Sequence, residues 1–257
     1  HAGGRQSGCS IESRPTDCQP EMLDWVDRNL DRLGGLVLPP RCILCGSRGQ
    51  RPSLDICSAC EGDLPVHAVM DDPLWPCDRW FAAFEYASPV DFLVHALKYR
   101  GQLAAGRVLG ALLGKSIGRY LLHRDVDVVV PVPLHPVRHA ERGFNQSAEL
   151  GRWVAREVGR GFCEGAVTRV RHTGPQVGLR LEERRTNLAG AFTCAASLAG
   201  LRVAVVDDVL TTGSTARAIA TALREVGAAS VDLWCVARAL PPGHCVEPAN
   251  RSNPVET

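Results

Sequence analysis

The chain has 257 residues, 45% of them hydrophobic and 22% charged, and its 29 basic and 28 acidic side chains leave a formal net charge of +1. That is enough apolar material for one main domain with a small appendage, and a balance so near neutral gives no global electrostatic case for nucleic acid. No apolar run reaches the roughly 20 residues that span a bilayer, which excludes a transmembrane helix.

The first 21 residues are polar, without periodicity, and lack the basic-then-apolar layout of a secretory signal, so a cytoplasmic protein is expected. An amphipathic pattern begins at Met22 and runs through Leu23, Val26, Leu30 and Leu33. Met22 therefore reads as the natural start. Residues 1–21 are expected to be a disordered extension or tag remnant, and residues 241–257 a disordered tail.

Cys42, Cys45, Cys57 and Cys60 form two C-x2-C pairs, with Gly46 directly after the first. Four thiolates at this spacing close a tetrahedral shell, and in an intracellular chain a structural Zn2+ explains them better than disulfides. A closed four-Cys shell leaves no position for catalysis. Its work is to hold a segment too small to fold on its own core. The other cysteines, Cys77 among them, have no partner at ligand spacing and read as core or incidental positions.

Residues 79–86 (RWFAAFEY) read as a strand, and Val90, Leu93, Val94 and Leu97 mark a helix face that ends at Lys98, Arg100 and Gly101. The next helix, about residues 103–122, contains GALLGKS. A nucleotide-triphosphatase phosphate loop is rejected there, because the spacing is one residue short and no strand precedes it. Residues 127–133 (DVVVPVP) are a buried strand. A loop with His135, Arg138, His139, Arg142 and Gly143 is expected next, leading into a helix capped near Asn145; a basic, glycine-containing loop at a helix start suits an anion. Residues 135–185 carry ten Arg against six Glu. Residues 168–180 read as a mobile, lid-like loop, residues 181–188 as a short helix or turn with Arg184, Arg185 and Asn187, and a strand begins near Ala191 and Phe192.

Residues 203–215 (VAVVDDVLTTGST) carry the sharpest signal. The β-branched run suits a central parallel strand, and Asp207 and Asp208 stand at its carboxyl end, where open α/β sheets hold ligands. Thr211, Thr212, Gly213, Ser214 and Thr215 then bring hydroxyls and free amides to a helix N-terminus, which suits a phosphate. Ribose hydroxyls suit the two carboxylates. The helix shows an apolar stripe through Ala218, Ile219, Ala222, Leu223 and Val226, and residues 230–236 (SVDLWCV) read as the next strand, completing a parallel crossover.

The segment resembles the PRPP-binding signature of type I phosphoribosyltransferases, with no position substituted. The four-Cys module, LKYRG, VPVPLHPVRHAERGFNQS, the R-x-R-x-T-x-x-Q stretch from Arg169, RRTNLAGAF and VVDDVLTTGST also occur in the order found in the ComF family, which includes GntX proteins. That resemblance covers about residues 36–237. It implies an α/β type I phosphoribosyltransferase fold, a parallel sheet flanked by helices, over residues 79–240, with a zinc ribbon in residues 22–78. It also implies a link in some bacteria to uptake of external DNA.

On this resemblance, and with Mg2+ as counter-ion, Asp207 and Asp208 hold the ribose hydroxyls. Val209, Leu210 and residues 211–215 seat the 5′-phosphate. Arg138, Arg142 and Gly143, with Lys98, face pyrophosphate, and Arg169 and Arg171 arrive from the lid to serve catalysis. Three classes stay open: a Mg2+-dependent transferase with an unknown acceptor, a PRPP- or nucleotide-binding protein without turnover, and an adaptor that contacts proteins of DNA-uptake machinery. The lack of an aromatic-plus-basic stripe argues against autonomous single-strand binding. The acid pair, as a strand-end feature, is expected to matter little for ligand-free stability.

Overall fold

The computed structural model describes residues 40–50, 54–67, 74, 76–120, 122–170 and 190–239. The expectations for residues 1–39, for the Arg-rich stretch 171–189 and for the tail beyond residue 240 fall outside them. In chain order the elements are α1 (Ser58–Gly62), β1 (Arg79–Glu85), α2 (Val90–Arg100), α3 (Leu103–Arg119), β2 (Val128–Pro131), α4 (Pro136–Arg142), α5 (Gln146–Val158), β3 (Gly161–Phe162), β4 (Val167–Arg169), β5 (Phe192–Cys194), β6 (Arg202–Leu210), α6 (Ser214–Glu225) and β7 (Ser230–Arg238).

Five strands form a parallel sheet in the order β1-β7-β6-β2-β3. The period of two in these strands sends alternate side chains to opposite faces. Val129, Ala204, Val206, Trp234 and Val236 join one core with residues of α2, α3 and α5. Val128, Val130, Val203, Val205, Leu233 and Cys235 join a second core with α6, β4 and β5. Because both faces are covered, the central strands read as unbroken apolar runs. Among the described residues no helix is long and apolar enough to cross a membrane.

Chain direction fixes where a site can form. From β2 the chain crosses through α5 to the outer strand β3, whereas from β6 it crosses through α6 to β7 on the other side. The neighbouring strands β2 and β6 therefore send their crossovers opposite ways. A crevice opens at their carboxyl ends, the usual ligand position of an open α/β sheet.

The GALLGKS segment lies within α3, with no phosphate-loop geometry. Its glycines have a packing reason instead: a Cβ on Gly110 would stand 2.7 Å from Trp153 Cβ, and one on Gly114 would stand 2.5 Å from Glu157 Cβ. The small-residue stripe lets α3 and α5 approach closely, and these two helices make the broadest helix–helix contact among the described residues.

One expectation changes, and one is given its partner. The basic segment after β2 is a short helix, α4, rather than a loop; the His135 side chain caps it by accepting from Val137 N at 3.2 Å, Pro136 opens it and Gly143 closes it. Its terminal residue types carry that signal. The strand near Ala191 does not join the main sheet but pairs antiparallel with β4, where the Thr168 and Thr193 hydroxyls meet at 2.7 Å. This ladder brackets residues 171–189.

Candidate functional site

Asp207 and Asp208 are the sixth and seventh of the nine residues of β6, inside the strand rather than beyond its end. Alternation turns them opposite ways. Asp208, in phase with Ala204 and Val206, faces α2 and is 5% exposed. There its Oδ2 meets Lys98 Nζ at 2.9 Å, with the two side chains 7% and 21% exposed. Burial works against the Lys98 ammonium, but Asp208, and behind it Asp207, lift its pKa above the usual lysine range. The acid pair is thus tied into the core, contrary to the expectation of a free strand end. Removing one partner of such a pair costs on the order of 3–5 kcal/mol.

Asp207 lines a hollow with Val209, Leu210 and residues 211–215, closed behind by Leu233 and Cys235. Ser147, fully buried near the start of α5, donates its hydroxyl to Asp207 Oδ1 at 3.0 Å. Ser147 is held in turn by Asn145, which caps α5 by accepting from Ser147 N at 3.1 Å and donates to Val132 O at 3.0 Å. Burial, with the adjacent Asp208 adding to it, pushes Asp207 up to about 7 against the pull of Lys98. The two acids therefore differ: one is paired with an ammonium, the other is poised to hold a proton near neutrality.

The turn after β6 is tied back by two arginines that sequence reading passed over. Arg217 donates to Thr212 O at 2.8 Å, and Arg238, at the end of β7, donates to Thr211 O. Thr212 and Ser214 share a hydroxyl contact at 2.9 Å. Gly213, at φ +72°, precedes Ser214, the first residue of α6. With its carbonyls engaged, the turn presents amides and hydroxyls at a helix N-terminus, flanked by two guanidinium groups. The hollow holds about 30 Å³, and Leu74 packs over Gly213, where an added Cβ would meet its Cδ1 at 2.5 Å.

A larger cavity of about 440 Å³ begins at Lys98 and is lined also by Tyr99, Gly101, Arg138, Glu141, Arg142 and Phe144. Arg138 and Arg142 thus reach one basic cavity from α4, with Gly143 as the helix cap. Arg142 lies over the Tyr99 ring, 5.6 Å from its centroid. Arg169, at the end of β4, has its pKa lowered by burial and by Arg138, so these two cations lie within electrostatic reach of each other. Arg171 lies outside the described residues.

The four cysteines come together at the N-terminal end. Their Sγ atoms all lie within 4.8 Å of one another, and Cys45 and Cys57 are 3.7 Å apart. A tetrahedral Zn–S4 site with bonds of about 2.3 Å needs sulfurs about 3.8 Å apart. The donor set fits. Cys57 Sγ accepts from Cys60 N at 3.5 Å, and Cys42 O accepts from Gly46 N at 2.8 Å. Thiolate is the ligand form.

Sheet order, crevice and acid-to-hydroxyl turn define a phosphoribosyltransferase-type domain, and the phosphoribosyl transferase domain family model matches residues 145–246. Over 224 residues, 80% of this chain and 94% of the relative, the chain is 32% identical to competence protein F of Haemophilus influenzae. It is 35% identical to DNA utilization protein YhgH of Escherichia coli K12, over 77% of this chain and 90% of that one. Competence protein ComFC of Bacillus subtilis is 25% identical, over 77% of this chain and 83% of that one. The chain belongs to the ComF family, and its fold is the type I phosphoribosyltransferase fold with an N-terminal four-Cys zinc ribbon. Among solved structures, the allosteric regulatory enzyme of purine biosynthesis aligns at 23% identity and TM-score 0.36, over 51% of this chain but 26% of its own. A purine phosphoribosyltransferase from Pyrococcus horikoshii aligns at 16% and 0.34, over 55% of this chain and 79% of its own.

Proposed function

We propose that the chain binds PRPP at the carboxyl ends of β2 and β6 and acts as a Mg2+-dependent phosphoribosyltransferase in nucleotide-related chemistry, in a cytoplasmic pathway linked to handling of imported DNA. The observation that carries this reading is the line-up of three sub-sites in one crevice: the amide- and hydroxyl-rich turn, the acid pair and the basic cavity. Their order matches 5′-phosphate, ribose and pyrophosphate.

In this reading residues 211–215 take the 5′-phosphate. The hollow has about one water's share of volume, so seating a phosphate displaces the Leu74 side chain. Asp207 and Asp208 hold the 2′- and 3′-hydroxyls, and their charge favours the cationic character that grows at C1 as the bond to pyrophosphate breaks. Arg138 and Arg142 take the departing pyrophosphate, Arg169 adds charge from the end of β4, and Arg171 is assigned the same role from the sequence alone. The carboxylates of Asp207 and Asp208 offer hard oxygens of the kind that suit Mg2+, which when bound would supply charge neutralisation on the leaving group.

Calorimetric titration with PRPP in millimolar Mg2+ tests the reading: wild type binds, and Asp207→Asn with Asp208→Asn loses most of the heat. Gly213→Val is a poor companion test, because a β-branched residue at φ +72° is strained before any ligand arrives. Binding without PRPP consumption against a panel of bases would favour a ligand-binding protein. No binding would leave the adaptor. A separate reading, contact with unpaired nucleic acid, has one observation in its favour: Phe92 and Tyr99 are 43% and 68% exposed, and Arg100 and Arg142 lie over their rings. The fold thus builds an aromatic-plus-basic surface that sequence order hid, suited to stacking unpaired bases. Anisotropy of a labelled oligothymidylate, with and without Tyr99→Ala, tests it.

A further inference from the structure

We propose that Lys98 is a resident counter-ion, occupying the face of Asp208 that a divalent cation would use and yielding it when an anion enters the adjoining cavity. The inference rests on reading the acid pair as the ribose and metal sub-site. Lys98 Nζ stands 2.9 Å from Asp208 Oδ2. Among the described residues, that oxygen has no hydrogen-bond partner beyond this ion pair. The pair is mostly shielded from water, so its attraction is screened little. A cation approaching Oδ2 has to displace an ammonium already there.

The same side chain has a second destination. Lys98 lines the 440 Å³ cavity together with Arg138 and Arg142. With no anion present, the two guanidinium groups outweigh the single carboxylate of Glu141, which also lines the cavity, and leave Lys98 on Asp208. An anion held by Arg138 and Arg142 reverses that preference. Lysine suits the exchange, being a compact charge on a long, rotatable stem. Its backbone stays put, because Val94 and Leu97 anchor α2 in the core. Cation at the acid pair and anion in the cavity are then coupled through one residue, and the coupling is reciprocal.

The test uses Mn2+ alone on zinc-loaded protein, with free Mn2+ followed by electron paramagnetic resonance. Lys98→Met should bind Mn2+ at least about tenfold more tightly than wild type, since a repelling charge has left the site. Adding Asp208→Asn to Lys98→Met should abolish that gain. Sulfate, a dianion that binds Mn2+ weakly, should tighten Mn2+ binding several-fold in wild type and leave Lys98→Met unchanged. If Lys98→Met does not melt cooperatively, Lys98→Gln, which keeps a donor without the charge, carries the comparison. Unchanged or weaker Mn2+ binding in the uncharged variant overturns the proposal. So does a gain that survives Asp208→Asn, or a sulfate effect equal in both proteins, including none. PRPP is absent from every arm, so a failure here is distinct from a failure of wild type to bind PRPP.

Discussion

Asp207 shows how one buried carboxyl couples the site to stability. Its pKa moves from 3.8 to about 7, chiefly through burial and then through Asp208. The folded protein therefore holds a proton that the unfolded chain releases between about pH 4 and pH 7. Over that window ligand-free stability should fall as pH rises, because the native state binds more protons than the unfolded one. Asp207→Asn, which cannot ionise, should flatten that slope, as melting temperatures of both proteins from pH 4 to pH 8 would reveal. A wild type and variant with parallel profiles would remove Asp207 from the account. Ser147→Ala should act in the opposite sense to the Asn change, since losing a donor to the charged form raises the Asp207 pKa further and extends the fall to higher pH. The acids and the turn residues were legible because they are contiguous. Ser147 and Arg238 were not, since each reaches the site from another element and has an ordinary residue type, and Arg217, two residues past the turn on α6, carries no signal beyond an ordinary helical arginine.

At the scale of elements, α3 and α5 owe their close approach to glycine. Gly110→Ala raises helix propensity by about 1 kcal/mol, yet its Cβ meets Trp153 Cβ at 2.7 Å and Leu150 O at 2.9 Å. The backbone oxygen cannot rotate away, so the clash should win and destabilise by about 1–3 kcal/mol in urea unfolding. Gly118→Ala, with nothing within 4 Å of its Cβ, isolates the propensity effect. It should stabilise by up to about 1 kcal/mol. If both substitutions stabilise, the helices are not in close contact at Gly110. The helices themselves were readable from apolar periodicity, but the spacing of GALLGKS does not say which surface its glycines face. α4 was misread because its seven residues are too few for a clear period, although Pro136 and Gly143 mark both ends.

The zinc module and the main sheet share one core across the sequence boundary at residue 78. Cys42, Ile56 and Leu64 are buried in the same cluster as Phe81, Leu93 and Leu109. Asp55 pairs with Arg107 on α3, and residues 65–67 bond to the edge strand β1, with Glu85 N donating to Pro65 O at 2.8 Å and His67 N to Ala83 O at 3.0 Å. The module thus covers an edge that would otherwise offer unpaired backbone groups. Purified protein should carry about one zinc per chain. Cys42→Ser should lose it and lower the melting temperature of the whole protein in a single transition, rather than spare the residues beyond 80. Calorimetry with metal analysis checks both. Two separated transitions would restore the picture of an independent appendage, and metal-free but fully stable wild type would remove zinc.

By itself the sequence determined the strand–acid–turn–helix unit, the four-Cys spacing, the parallel α/β class and the family, because each is written in contiguous residues or short spacings whose physics is local. Only the tertiary structure decided that Lys98 sits on Asp208, that Ser147 holds Asp207, that Arg138 and Arg142 open onto a cavity beside them, and that Phe92 and Tyr99 meet arginines at one surface. Those arrangements depend on which strands are neighbours and which way their crossovers run. The packing of two cores against opposite faces of the sheet sets both, and no single segment encodes it.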